Sequence, residues 1–264
     1  MPLAQVNGID FYYETHGVGP AVVFAHGAGG NHASWFQQVP FFSRTHRVIT
    51  FDHRGFGQSA DTNGLGRGSF VDDLRALLDH LDIEKASLVA QSMGGVSALG
   101  FAIQHPERAS ALVMADTLGG VALPGELGDM QRMTAEATRD LPQIDRVVSK
   151  SLPVRDPVKA QLYLQIASFN PDNATRLTPS PGAVPPAPVT IDQVAATAKS
   201  VPMLFLVGAE DVLQPPAIVR GAAAMVPGAQ FTLVPDSGHS VYFEQPDVFN
   251  FEVGRFLTSV LSRE

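Results

Sequence analysis

Residues 87–105 read SLVAQSMGGVSALGFAIQH, and the fold turns on how this stretch divides. Ser87–Gln91 reads as a short buried strand, and Gly95–His105 as a helix closed by Pro106. Between them the backbone must turn within about two residues. Such a turn strains Ser92 and lifts its Oγ above the sheet edge, where a serine can act as a nucleophile. Gly94 lets a neighbouring chain pass close, and Met93 offers its backbone N–H at the start of the helix. The pattern is Ala90-x-Ser92-x-Gly94, and a serine N-cap on an ordinary helix would produce the same letters. The rest of the chain has to decide between them.

Outward from Ser92, short apolar runs alternate with helical spacing. Ala21–Ala25 (AVVFA), Arg47–Phe51 (RVITF), Ala111–Ala115 (ALVMA), Met203–Val207 (MLFLV) and Gln230–Val234 (QFTLV) read as strands. Phe70–Leu81, Pro215–Met225 and Asp247–Leu261 read as helices, and Asn7-Gly8 marks an N-terminal hairpin. This alternation predicts an α/β fold: a mostly parallel central sheet with helices on both faces. Residues 117–200 break the pattern. They hold helix-like stretches around Asp129–Lys150 and Pro157–Phe169, then a Pro-rich segment expected to be a stiff irregular loop. We expect a core of residues 1–116 and 201–264, with 117–200 as a helical cap inserted after the sixth strand.

Composition narrows the function. The 264 residues suffice for one large core with an inserted lid. A net charge of −8 and the lack of a basic stripe argue against nucleic acid or an anionic membrane as partner. With no cysteine there are no disulfides, thiolate metal sites or thiol nucleophiles. No run of about 18 apolar residues suggests a membrane span, and the first residues lack the basic start of a secretory signal. A soluble cytoplasmic protein acting on a small molecule is expected. The histidine spacing matches no zinc motif, so no metal site is expected. Oligomeric state is not readable.

Polar clusters follow the expected strands, and ligands of open α/β sheets bind at the carboxyl ends of strands. Those ends carry Ala28, Ser92, Asp116, Asp211 and His239. A serine hydroxyl needs a base to take its proton, a carboxylate to orient the base, and N–H donors for the oxyanion. All are present, in the order serine, acid, histidine. Asp116 rivals Asp211 as the acid, and Asp211 also suits a helix N-cap before Leu213-Gln214.

The motifs His26-Gly27-Ala28-Gly29-Gly30, Asp52-x-Arg54-Gly55-x-Gly57-x-Ser59, Ser92-Met93-Gly94-Gly95, Gly208-x-x-Asp211 and Gly238-His239 with Glu244-x-Pro246 stand in order along the chain. With them the chain resembles a capped, single-domain α/β-hydrolase-fold enzyme over nearly its whole length. It departs at Ala90, where that family usually has glycine. The resemblance implies Ser92 as nucleophile, His239 as general base and Asp211 as its orienting acid. It also implies an oxyanion hole from the N–H groups of Ala28 and Met93, with Gly29 the alternative donor. Gly27 and Gly29 would let that loop approach substrate. In this fold the insert roofs the pocket, so Leu118, Leu123, Met130 and Met133 are candidate pocket residues. His26 is expected to brace the loop and Arg54 to be ion-paired, while His32 and His53 are candidates for the pocket entrance.

The reaction so implied is hydrolysis of a small, apolar carboxylic ester or lactone through an acyl-enzyme, with no cofactor. Related enzymes leave alternatives: a carbon–carbon bond hydrolase of ring-cleavage products, an enol-lactone hydrolase, and a cofactor-free haloperoxidase or perhydrolase side activity. Ser240 after the Gly-His pair disfavours the first. From another class comes a non-catalytic ligand receptor that keeps the triad.

Overall fold

The computed structural model describes residues 2–171 and 188–262. Strands β1 (Leu3–Val6), β2 (Ile9–His16), β3 (Ala21–Ala25), β4 (Arg47–Phe51), β5 (Ala86–Gln91), β6 (Ala109–Ala115), β9 (Met203–Gly208) and β10 (Gln230–Val234) form one sheet; β7 (Val121–Ala122) and β8 (Val189–Thr190) pair separately. The order is β1-β2-β4-β3-β5-β6-β9-β10. β1 and β2 run antiparallel as the expected hairpin, β2 pairs antiparallel with β4, and every later pairing is parallel.

The helices are α1 (Val39–Phe42), α2 (Phe70–His80), α3 (Gly94–Gln104), α4 (Gly125–Thr138), α5 (Gln143–Val147), α6 (Leu152–Arg155), α7 (Pro157–Ser168), α8 (Ile191–Thr197), α9 (Pro216–Ala224), α10 (Val241–Glu244) and α11 (Pro246–Leu261). The single helical stretch expected around 129–150 is two helices. Pro142 lacks an N–H and bars its predecessor from helical backbone, so α4 stops before it and α5 starts after it.

Apolar strands face core on both sides because successive side chains point to opposite faces. Val23, Ala25, Leu88, Ala90, Leu112, Met114 and Phe205 join one core with α2, α3, α8 and α9. Their neighbours Val22, Phe24, Val89, Val113, Leu204 and Leu206 join another with Trp35, α7, α10 and α11. The region between β6 and β9 is divided in the same way. Leu118, Leu123, Ile191 and Val194 belong to the first core, whereas Val147, Val148, Leu152, Ala160, Tyr163 and Ile166 belong to the second. Residues 172–187 of the expected Pro-rich loop lie outside the described residues.

Arg54 and Asp73 fasten the loop after β4 to α2. Both are buried, and the guanidinium donates to both carboxylate oxygens, at 2.9 Å from Nε and 2.7 Å from Nη2. Arg54 also donates from Nη1 to Asn63 Oδ1 at 2.7 Å. Removing one member of such a pair strands a buried charge. Arg54→Met is therefore expected to lower unfolding free energy by about 3–5 kcal/mol, measured by urea denaturation. A loss under about 1 kcal/mol would contradict the pairing.

Candidate active site

The parallel strands β3, β5, β6, β9 and β10 are neighbours, so their carboxyl ends lie along one edge of the sheet. Ala25 pairs with Ala90, and Gln91 with Ala115, so the loops that follow emerge side by side. After β5 the chain turns at Ser92, whose φ is 51°, a left-handed value costly for a residue with a Cβ. The turn is held by a hydrogen bond from Ser92 N–H to the Ala115 carbonyl at 3.1 Å. It also needs Gly94, where any Cβ would overlap the Ala25 carbonyl oxygen. Ala90 is fully buried in the sheet, so a methyl group is accommodated where the family pattern has glycine.

Three side chains from three loops form one hydrogen-bond chain. Ser92 Oγ lies 2.8 Å from His239 Nε2, and His239 Nδ1 lies 2.9 Å from Asp211 Oδ2. Asp211 Oδ1 accepts from the N–H groups of Leu213 and Gln214 at 2.8 and 2.9 Å. The capping role and the histidine contact thus occupy different oxygens of one carboxylate. With Asp211 beside Nδ1, the tautomer protonated there leaves Nε2 free to take the serine proton.

Asp116, the rival acid, faces elsewhere. Its oxygens accept from Gly208 N–H at 3.0 Å and Val241 N–H at 3.2 Å, tying the end of β9 to the segment after His239. Burial and the charge of Asp211 hold its pKa well above the usual carboxylate range. Burial acts to lower the His239 pKa, but the charge and hydrogen bond of Asp211 outweigh it, with Asp116 adding to them, and the pKa is raised.

The loop after β3 is braced from below. His26 Nε2 accepts from His53 N–H at 2.9 Å, so Nδ1 carries the proton and donates to the Gly27 carbonyl at 2.8 Å. Ala28 packs beside Phe56, Phe70 and Met93, which brings the two proposed oxyanion donors together. Among the described residues no protein group accepts from the N–H of Ala28, Gly29 or Met93. Gly27 rests against Gln91 and Ser92.

These groups open onto a cavity of about 140 Å³. Ala28, Gly29, Ser92 and His239 line it, together with Gln91, Leu213, Gln143, Arg146, Val147 and Tyr163. Gln91 anchors the histidine loop by donating from Nε2 to the His239 carbonyl at 2.6 Å. Tyr163 comes down from α7 onto the oxyanion loop, where a Cβ on Gly29 would crowd its hydroxyl. Glu244 holds the other side: it accepts from Gly238 N–H at 2.7 Å and from Ser149 Oγ at 2.6 Å, joining the histidine loop to the segment after α5. Only the Glu244-x-Pro246 motif signalled that residue in the sequence.

Several expected pocket residues are placed elsewhere. Leu118 and Leu123 are buried in the core beside α8 and β9, Met130 is exposed, and Met133 is 71% exposed on α4. None lines the cavity: the core takes up Leu118 and Leu123, and α4, which carries Met130 and Met133, packs against α9, with Leu127 against Gly221. His53 is buried, with Nε2 2.9 Å from Ser97 Oγ, and His32 is held by Asp52 at 2.8 Å; neither reaches the cavity.

A family model described as the alpha/beta hydrolase fold matches residues 20–246. The chain belongs to the α/β-hydrolase fold family. This α/β hydrolase is 30% identical over 276 aligned positions to a Mycobacterium tuberculosis protein named "Putative non-heme bromoperoxidase BpoC", covering 96% of the chain and 99% of the relative. A thermophilic esterase from Thermogutta terrifontis superposes with a TM-score of 0.80 at 28% identity, covering 98% of this chain and 97% of the esterase. Est816, titled as an N-acyl homoserine lactone degrading enzyme, superposes with a TM-score of 0.79 at 26% identity, covering 97% and 100%. No helix among the described residues is long and apolar enough to cross a membrane.

Proposed function

We propose that this α/β hydrolase is a serine hydrolase that cleaves a small carboxylic ester or lactone through an acyl-enzyme. The observation that carries the reading is the Ser92–His239–Asp211 hydrogen-bond chain, opening onto a cavity beside the N–H groups of Ala28 and Met93. An esterase and a lactone-degrading enzyme among the structural neighbours support it.

His239 Nε2 takes the proton from Ser92 Oγ as the oxygen attacks the substrate carbonyl. The tetrahedral oxyanion accepts from the N–H groups of Ala28 and Met93; one such donor is worth about 10²–10³ in kcat. His239 then passes the proton to the departing alkoxide as the carbon–oxygen bond breaks, leaving the acyl group on Ser92. Water, deprotonated by the same nitrogen, splits that ester and regenerates Ser92. Asp211 holds the imidazole in place and its carboxylate balances the imidazolium. In this reading residues 117–200 are an inserted cap, of which α5 and α7 roof the site.

The cavity volume sets the acyl length. At roughly 10–15 Å³ for each water-sized group, about 140 Å³ holds on the order of ten non-hydrogen atoms, fewer than p-nitrophenyl acetate already has, so the shortest acyl groups fit best. Across p-nitrophenyl esters, kcat/KM is expected to peak at acetyl to butyryl and to fall at least about tenfold by octanoyl, since overfilling a packed site costs about 1–3 kcal/mol. A maximum at octanoyl or longer would contradict the assigned cavity.

A further inference from the structure

We propose that the substrate carries a second, non-reacting carboxylate on its acyl side, and that Arg146 binds it. This rests on the ester or lactone reading above and names its substrate class. The five-residue helix α5 presents Gln143, Arg146 and Val147 to the Ser92 cavity, positions three and four apart that share one helix face. Arg146 is half-buried there. Among the described residues no carboxylate, carbonyl or aromatic ring partners its guanidinium. Arg54, Arg108, Arg132, Arg155 and Arg255, in contrast, each meet an acidic side chain.

The two carboxylates beneath the cavity are already engaged, Asp211 by His239 and two backbone N–H groups, and Asp116 by Gly208 and Val241. They do not compete for Arg146. A guanidinium pairs bidentately with a carboxylate, a match that an ammonium or amide does not reproduce. The rest of the lining suits a polar acyl group more than the apolar one expected from sequence: Gln91, Gln143 and Tyr163 add polar atoms around Ser92. A net charge of −8 gives no long-range attraction for anions, so selectivity would have to come from this contact. On the acyl side the carboxylate stays paired through both half-reactions, because the acyl group remains bonded to Ser92 after the leaving alcohol departs. The carboxylate takes no part in bond making. Ser92 Oγ bonds to the ester carbon, the alkoxide leaves with the proton carried by His239, and water releases a dicarboxylate or, from a lactone, its hydroxy acid.

The test compares monoethyl succinate with its neutral near-isostere ethyl levulinate, following ethanol release by the intact enzyme. The binding arm uses calorimetry in the Ser92→Ala background. Charge-assisted pairing predicts kcat/KM at least about tenfold higher for monoethyl succinate, and a matching preference in affinity. Arg146→Met should bring both ratios near unity, and Arg146→Lys should retain part of each. Equal values for the two esters, undetectable binding of both, or a preference that survives Arg146→Met overturns the assignment. The underlying reading fails separately. Arg146-dependent binding without turnover would keep the carboxylate site and reject ester hydrolysis. Turnover of both esters with no dependence on Arg146 would do the reverse.

Discussion

Ser92→Ala is expected to lower kcat by about 10⁴–10⁶ while leaving the fold intact. The size follows from the chemistry. Without Oγ there is no acyl-enzyme, and the residual rate is whatever the oxyanion donors and binding supply to attack by water. The fold survives because the turn is held by groups the substitution keeps. The Ser92 N–H to Ala115 contact is backbone, Gly94 remains, and alanine meets much the same strain at φ 51° as serine. Steady-state rates on a short-chain ester, beside a thermal melt, check both halves. Retained turnover would remove Ser92 from the mechanism; a collapsed melt would show that its hydroxyl holds the turn.

Asp211→Asn should cost about 10²–10⁴ in kcat and also move the pH profile. His239 must be neutral at Nε2 to accept the serine proton, so activity rises with pH through the His239 pKa. Its position reflects burial, which acts to lower it, overcome by the charge and hydrogen bond of Asp211, which raise it. In wild type the rising limb should therefore lie above the ordinary imidazole value of about 6.5. Asparagine removes the charge, so the limb should shift to lower pH even as the plateau falls. It also offers an amide N–H toward Nδ1, favouring the wrong tautomer. A plateau lowered with no shift of the limb would mean that Asp211 acts only as the cap of the Leu213–Gln214 turn. Asp116→Asn is the control for the rival acid, since both Asp116 oxygens face backbone N–H groups.

The strand ends were legible because a strand buried on both faces must read as a continuous apolar run, and the glycines and polar residues after it mark where the chain leaves the sheet. Ala21–Ala25, Ala86–Gln91 and Met203–Gly208 all have this form, which sets Ala28, Ser92 and Asp211 at one edge, while His239 follows Gln230–Val234, a strand that is mostly only part-buried. The pocket wall was not legible, for an equally physical reason. Gln143, Arg146 and Val147 sit on a helix of five residues, too short for apolar periodicity to show which face looks inward. Met130 and Met133 carried a plausible apolar signal, but α4 packs against α9 and leaves them toward solvent. Tertiary packing decided which part of the 117–200 block meets the cavity, and no local pattern encodes it. The contact of Glu244 with Ser149 likewise joins residues far apart in the chain.

The central claim is that Ser92 is an activated nucleophile. Its most direct measurement is the intact mass of the protein after exposure to a fluorophosphonate, followed by peptide mapping, with Ser92→Ala alongside. The account predicts one phosphonate adduct per chain, located on Ser92 and missing from the variant. Wild-type protein that stays unlabelled, or carries its adduct on another residue, would contradict it and favour a binding protein that keeps the triad without using it.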